Sequence, residues 1–134
     1  MNKYLLTLVF SFLFTSCATY HISTQSLLEQ FADVSKQKKV TIVIAPPFLF
    51  FPGIVDGNSL KSIKVLDKKD RVQILHVKNH TGVKITQVNG KSAIFYFNTL
   101  LLQDSTITGS KMHFFEARIK PIRFKDIVKI ELQK

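Results

Sequence analysis

Apolar and polar positions change rhythm three times along this chain. Residues 4–14 are almost all apolar, from Tyr4-Leu5-Leu6 to Phe12-Leu13-Phe14, with Lys3 before them and Thr15-Ser16-Cys17 after. Residues 25–34 then take a helical period. Leu27, Phe31 and Val34 fall on one face, Leu28 sits at its edge, and Ser23 is placed to cap the first turn. Lys36-Gln37-Lys38-Lys39 reads as a solvated charged turn, and from Val40 onward the period is that of strands.

Val40-Thr41-Ile42-Val43-Ile44-Ala45 is a β-branched run that Pro46-Pro47 should stop. Phe48-Leu49-Phe50-Phe51 should stop at Pro52-Gly53, and Asp56-Gly57-Asn58 reads as a further turn. Residues 62–66 and 71–77 form a strand and its return about the turn 67–70. Residues 83–86 and 92–97 flank Asn89-Gly90, the strongest short hairpin signal, since both turn positions favour positive φ. Gln103-Asp104-Ser105 separates two more short strands. A strand, a tight helical turn at 124–127 and an alternating strand close the sequence. The pattern predicts a mainly β fold, a small sandwich or barrel, preceded by one short amphipathic helix. The stretch from Val83 to Leu132 has the rhythm of a strongly bent Sm-like or SH3-like barrel.

The front segment is a different kind of signal. A positive start, a short apolar core and a small-residue exit form the pattern of a secretory signal peptide. The core is too short to span a bilayer, which needs about 20 apolar residues. Cys17 is the chain's single cysteine, and its place at the exit resembles a bacterial lipobox, with Phe14 where leucine is most usual. In a lipobox the cysteine is acylated and becomes the first residue of the mature protein. Two other readings stay open: ordinary cleavage using Ser16 and Ala18 as the small pair, or an uncleaved anchor. The expected organisation is a lipoprotein signal peptide at 1–16, a lipidated tether at 17–22 and a single domain at 23–134.

Composition narrows the partners. The chain has 134 residues, 46% of them hydrophobic, which suits one domain with a packed core. One cysteine excludes an internal disulfide, so packing and hydrogen bonding must carry stability. The net charge of +10 favours anionic partners. Nucleic acid is not expected, because an exported protein rarely meets it. Anionic lipid or phosphorylated glycolipid head groups are the more available anions, and an envelope protein is the other expected partner.

Candidate chemistry is sparse. His76 and His80 are spaced i,i+4, which makes a metal pair only on a helix. On a strand they would stand roughly 13 Å apart. No second cysteine or dense carboxylate cluster completes a site, so neither metal nor cofactor is implied. Asp104, Ser105 and His113 contain the letters of a triad, but no nucleophile elbow surrounds Ser105, and Asp104-Ser105 reads as turn chemistry. An enzyme of unrecognised type stays as the alternative, and it requires a pocket holding Asp104 or His113. Phe95-Tyr96-Phe97 reads as a core strand, with Phe95 and Phe97 on one face. Phe114-Phe115 is harder to bury locally and is flanked by Lys111, Arg118, Lys120, Arg123 and Lys125. Phe114, Phe115, Lys111 and Arg123 are therefore the candidate partner or ligand contacts, provided that the cations cluster in space.

Taken with the lipobox, residues 62–69, Asn89-Gly90-Lys91, Phe95-Tyr96-Phe97, residues 104–110 and residues 119–131 together resemble a group of small lipoproteins common in Bacteroidetes-type Gram-negative bacteria. The resemblance implies a location and a fold but no reaction. It also implies a periplasm-facing outer-membrane anchor, since Ala18 follows Cys17 and no acidic run comes after it. The expected role is non-catalytic: binding, or a structural part of the cell envelope.

Overall fold

Ser23 caps the helix as its sequence position suggests. Its side chain accepts the backbone N–H of Ser26 at 3.1 Å, and α1 (Thr24–Phe31) follows. Leu27 and Phe31 are buried, while Val34 packs partly against the core just beyond the helix end. These observations come from a computed structural model that describes residues 18–34, 36–45, 49–111 and 117–134. The signal-like segment with Cys17, the Pro46-Pro47 stop, and Phe114, Phe115 and His113 lie outside the described residues.

The other regular elements among the described residues are two single 3-10 turns, Phe97–Thr99 and Phe124–Asp126, the second at the tight helical turn expected there, and the strands β1 (Thr19–Ile22), β2 (Lys36–Ala45), β3 (Leu49–Asn58), β4 (Ser62–Leu66), β5 (Val72–His76), β6 (Gly82–Gln87), β7 (Ser92–Tyr96), β8 (Leu101–Gln103), β9 (Thr106–Thr108), β10 (Ile122–Arg123) and β11 (Ile127–Gln133). Six of them form an antiparallel sheet in the order β5-β4-β1-β11-β6-β7. A second sheet has the order β10-β9-β8, and β2 and β3 form a long two-stranded ribbon. The fold is mainly β and sandwich-like, as the alternation implied.

The large sheet does not close into a barrel. β5 and β7 end its strand order without pairing to each other. Beyond β7 runs the segment that leads to and from the small sheet, where Tyr96 donates its backbone N–H to the Ser110 carbonyl at 3.0 Å and Ser110 bridges Arg118. That segment takes the place a closing strand would need.

The core follows the strand period. Ile63 and Val65 of β4, Val83 and Ile85 of β6, Phe95 of β7, and Ile130 and Leu132 of β11 point inward and are almost fully buried. They join Leu27 and Phe31 of α1 with Ile107, Ile119 and Ile122 beside or within the small sheet, in one cluster. The Phe31 and Phe97 rings meet edge to face with centroids 6.0 Å apart. Phe95 and Phe97 are thus core residues, while Ile94 between the inward positions is exposed.

Three expectations about local structure are corrected. The tether expected at 17–22 is mostly strand: β1 begins at Thr19 and is paired on both sides, with β11 and β4. The charged turn expected at 36–39 is the first part of β2, which pairs with β3 from Lys36↔Asn58 to Ala45↔Leu49. Pro52-Gly53 and Asp56-Gly57-Asn58 do not stop β3, which runs through both. In a two-stranded ribbon each strand has an unpaired outer edge, and a proline lacking its N–H is tolerated there.

The Asn89-Gly90 hairpin forms, with a different turn. Gly90 has φ 81, but Asn89 is not among the positive-φ residues. Gly90 donates to the Gln87 carbonyl at 2.9 Å, and Gln87 to that of Lys91 at 2.9 Å. This is a three-residue loop with one left-handed residue, not a two-residue turn needing two. The β4–β5 turn repeats it, with Asp70 at φ 57 donating to Asp67 at 3.0 Å.

Candidate functional site

The clustered cations of the sequence separate into two groups in space. Lys111, Arg118 and Lys120 line a cleft of about 540 Å³, and Lys91 from the β6–β7 turn joins them. The other lining residues are Gln87, Asn89, Ser92 and Ala93, with Ala117, Ile119, Pro121 and Ile122 between and after the cations of the opposite wall. Four cations and no carboxylate thus line it among the described residues. Arg123 lies elsewhere, its Nε donating to Asp126 Oδ2 at 2.7 Å, and Lys125 is exposed outside the lining. Of the candidate contacts among the described residues, Lys111 and Arg123, Lys111 reaches this cleft. Arg123 does not, and Phe114 and Phe115 lie outside the described residues.

The walls follow from local structure. The β6–β7 turn presents Asn89 and Lys91, and the Asn89 side chain accepts the Lys91 backbone N–H at 2.9 Å. The opposite wall is held in register by backbone bonds from Lys111 to Ala117 at 3.0 Å and from Ile119 to Gly109 at 2.8 Å. Arg118 is half-buried, and its Nη2 donates to the main-chain carbonyl of Asp56 at 2.9 Å. Its Nη1 is enclosed and meets no acceptor among the described residues. Lys91 was legible only as a turn residue. Its place in the cleft depends on β7 lying beside residues 117–122, which no local pattern announces.

A second cleft, of about 420 Å³, lies where β1 begins. It is lined by Ala18, Thr19 and Tyr20 with Asp67, Lys68, Lys69, Arg71 and Gln73 of the β4–β5 turn and strand. Asp67 organises that turn: its Oδ1 accepts the backbone N–H of Lys69 at 2.8 Å and of Arg71 at 3.0 Å, and its Oδ2 pairs with the Arg71 side chain at 2.9 Å. The Arg71 backbone N–H foremost, then that of Lys69 and the Arg71 guanidinium, hold its carboxyl at about 2 against the opposing effect of desolvation. His21 of β1 reaches the same turn, with Nε2 3.1 Å from Asp70 Oδ1.

The residues named for other chemistry are dispersed. His76 lies on β5 and His80 in the following turn, so the pair shares no helix. Asp104 is exposed at the β8–β9 turn with φ 51. No described helix is long and apolar enough to cross a membrane.

No family model, curated protein or solved structure matches the chain.

Proposed function

We propose that this protein is a lipid-anchored component of the bacterial cell envelope, held on the periplasmic side of the outer membrane, that works by binding and not by catalysis. The observation that carries the reading is the signal-like segment ending at the sole cysteine. The fold adds a consequence. With β1 beginning at Thr19, acyl chains on Cys17 would hold the central part of the sheet against the bilayer without a flexible linker. The β4–β5 turn beside Ala18 would then bring Lys68, Lys69 and Arg71 to the head groups. Each cation near an anionic surface adds about 1 kcal/mol of attraction. Several buried acyl chains, at about 0.8 kcal/mol per methylene, provide the firm attachment. The likeness to small Bacteroidetes-type lipoproteins points the same way.

The test is fractionation of cells expressing the native chain and Cys17→Ser. The native protein should sediment with membranes and resist extraction by high salt, and the variant should move to the soluble fraction. A variant that stays in the membrane pellet contradicts the lipid anchor.

A further inference from the structure

We propose that the cleft between β7 and residues 117–122 is a binding site for a ligand bearing clustered phosphate groups, held by Lys91, Lys111, Arg118 and Lys120. The site is distinct from the anchor and does not depend on it.

The charge pattern carries the proposal. Elsewhere in the described chain, Arg71 pairs with Asp67, Arg123 with Asp126 and Lys129 with Glu131, and what sets the cleft apart is the grouping of four cations on one concave wall. The four cations of the cleft make no ion pair among the described residues, and no carboxylate lines it. A concave wall of one sign focuses potential and raises the local concentration of counter-ions. Its volume of about 540 Å³ lies in the range of small-molecule sites and exceeds what a single inorganic ion fills.

Arg118 gives the cleft a fixed element. Its Nη2 is committed to the Asp56 carbonyl, so the guanidinium is oriented before any ligand arrives. Its enclosed Nη1 lacks an acceptor among the described residues. Arg118 as a residue lines the cleft, so a phosphoryl oxygen bound there can take a charge-assisted bond from its guanidinium. The three lysines supply mobile point charges around that fork, and Asn89 and Ser92 add neutral polar groups.

Gln87, Asn89 and Lys91 form the end of the sheet opposite Ala18, because Gly82, not Gln87, is in register with Gln133. The length of β6 puts that mouth about 17 Å from the anchored end. A soluble phosphorylated ligand and the head group of a phosphorylated lipid share the required chemistry, and the two sources can be told apart.

The experiment is calorimetric titration of the full chain, purified in a neutral detergent, with inositol hexakisphosphate. Binding should weaken as salt rises. Lys91→Ala with Lys120→Ala should weaken it about tenfold or more. Lys61→Ala with Lys78→Ala removes the same charge outside the cleft and should leave affinity within about twofold. Thermal melting confirms that each variant is folded. The Cys17→Ser chain should bind as the native chain does, so loss of the anchor reading leaves this result intact. Adding phosphatidylglycerol to the micelles assigns the source: displacement of the probe supports a lipid head group, and undisturbed binding supports a soluble ligand. No binding by the native chain, or equal loss in the two double variants, overturns the proposal.

Discussion

The side-chain amide of Gln30 hydrogen-bonds both backbone groups of Lys64. Its Oε1 accepts the Lys64 N–H at 2.7 Å, and its Nε2 donates to the Lys64 carbonyl at 2.9 Å. Lys64 is in register with Ile74 on one side, while β1 meets β4 only at His21↔Leu66 on the other. One glutamine of α1 therefore continues the ladder where β1 has turned into the helix. Gln30→Ala should destabilise the fold by about 1–2 kcal/mol, since two backbone groups lose their partner but can still reach water. Urea denaturation measures this. An unchanged midpoint would mean that water replaces the amide at no cost.

Gly109 is required by the Phe95 ring. A Cβ built there would overlap the ring of this buried phenylalanine. Gly109→Ala should destabilise by about 1–3 kcal/mol, because the buried ring must shift within a packed core to admit the methyl group. At Gly82 the nearest atom would be 3.8 Å away, so Gly82→Ala should fold with nearly native stability. Comparing the melting temperatures of the two variants checks both statements.

Asn58 joins the ribbon to the core. It is buried, its Nδ2 donates to the carbonyls of Phe97 at 2.8 Å and Leu100 at 3.0 Å, and its Oδ1 accepts from Leu60 at 3.1 Å. Asn58→Ala strands those groups and should cost about 2–3 kcal/mol. Asn58→Asp should also destabilise, because it exchanges a two-proton donor for an acceptor facing two carbonyls. Denaturant titration of both variants is the check.

Asp67 makes the β4–β5 turn sensitive to acid. Its carboxyl titrates at about 2 in the folded chain against an ordinary 3.8. The folded state therefore binds the proton less readily than the unfolded state. The stabilisation is complete above 3.8 and is lost as the pH falls from there through about 2. In Asp67→Asn that component of the pH dependence should vanish, with the variant less stable at neutral pH. Parallel stability curves for native chain and variant over this window would contradict the assignment.

Local signals were legible in the sequence and long-range ones were not. Ser23 as a cap, the burial of Leu27 and Phe31, and the hairpin at Asn89-Gly90 each depend on a few neighbouring residues. β1 escaped because four residues are too few to show a period, and their strand character comes from pairing with β11 at the other end of the sequence. Pro52-Gly53 misled because its breaking power depends on whether the strand has an open edge, a fact of topology. The cation cluster was half legible. Lys111, Arg118 and Lys120 are close in sequence, but Lys91 enters from a hairpin on the other wall, and Arg123 leaves through its pairing with Asp126.

The proposed acylation at Cys17 is open to a single measurement, the intact mass of the protein extracted from membranes. A lipid-anchored protein should yield a chain beginning at Cys17 and heavier than its residues by three acyl chains with their glycerol link. A mature chain beginning elsewhere, or carrying an unmodified Cys17, would contradict it.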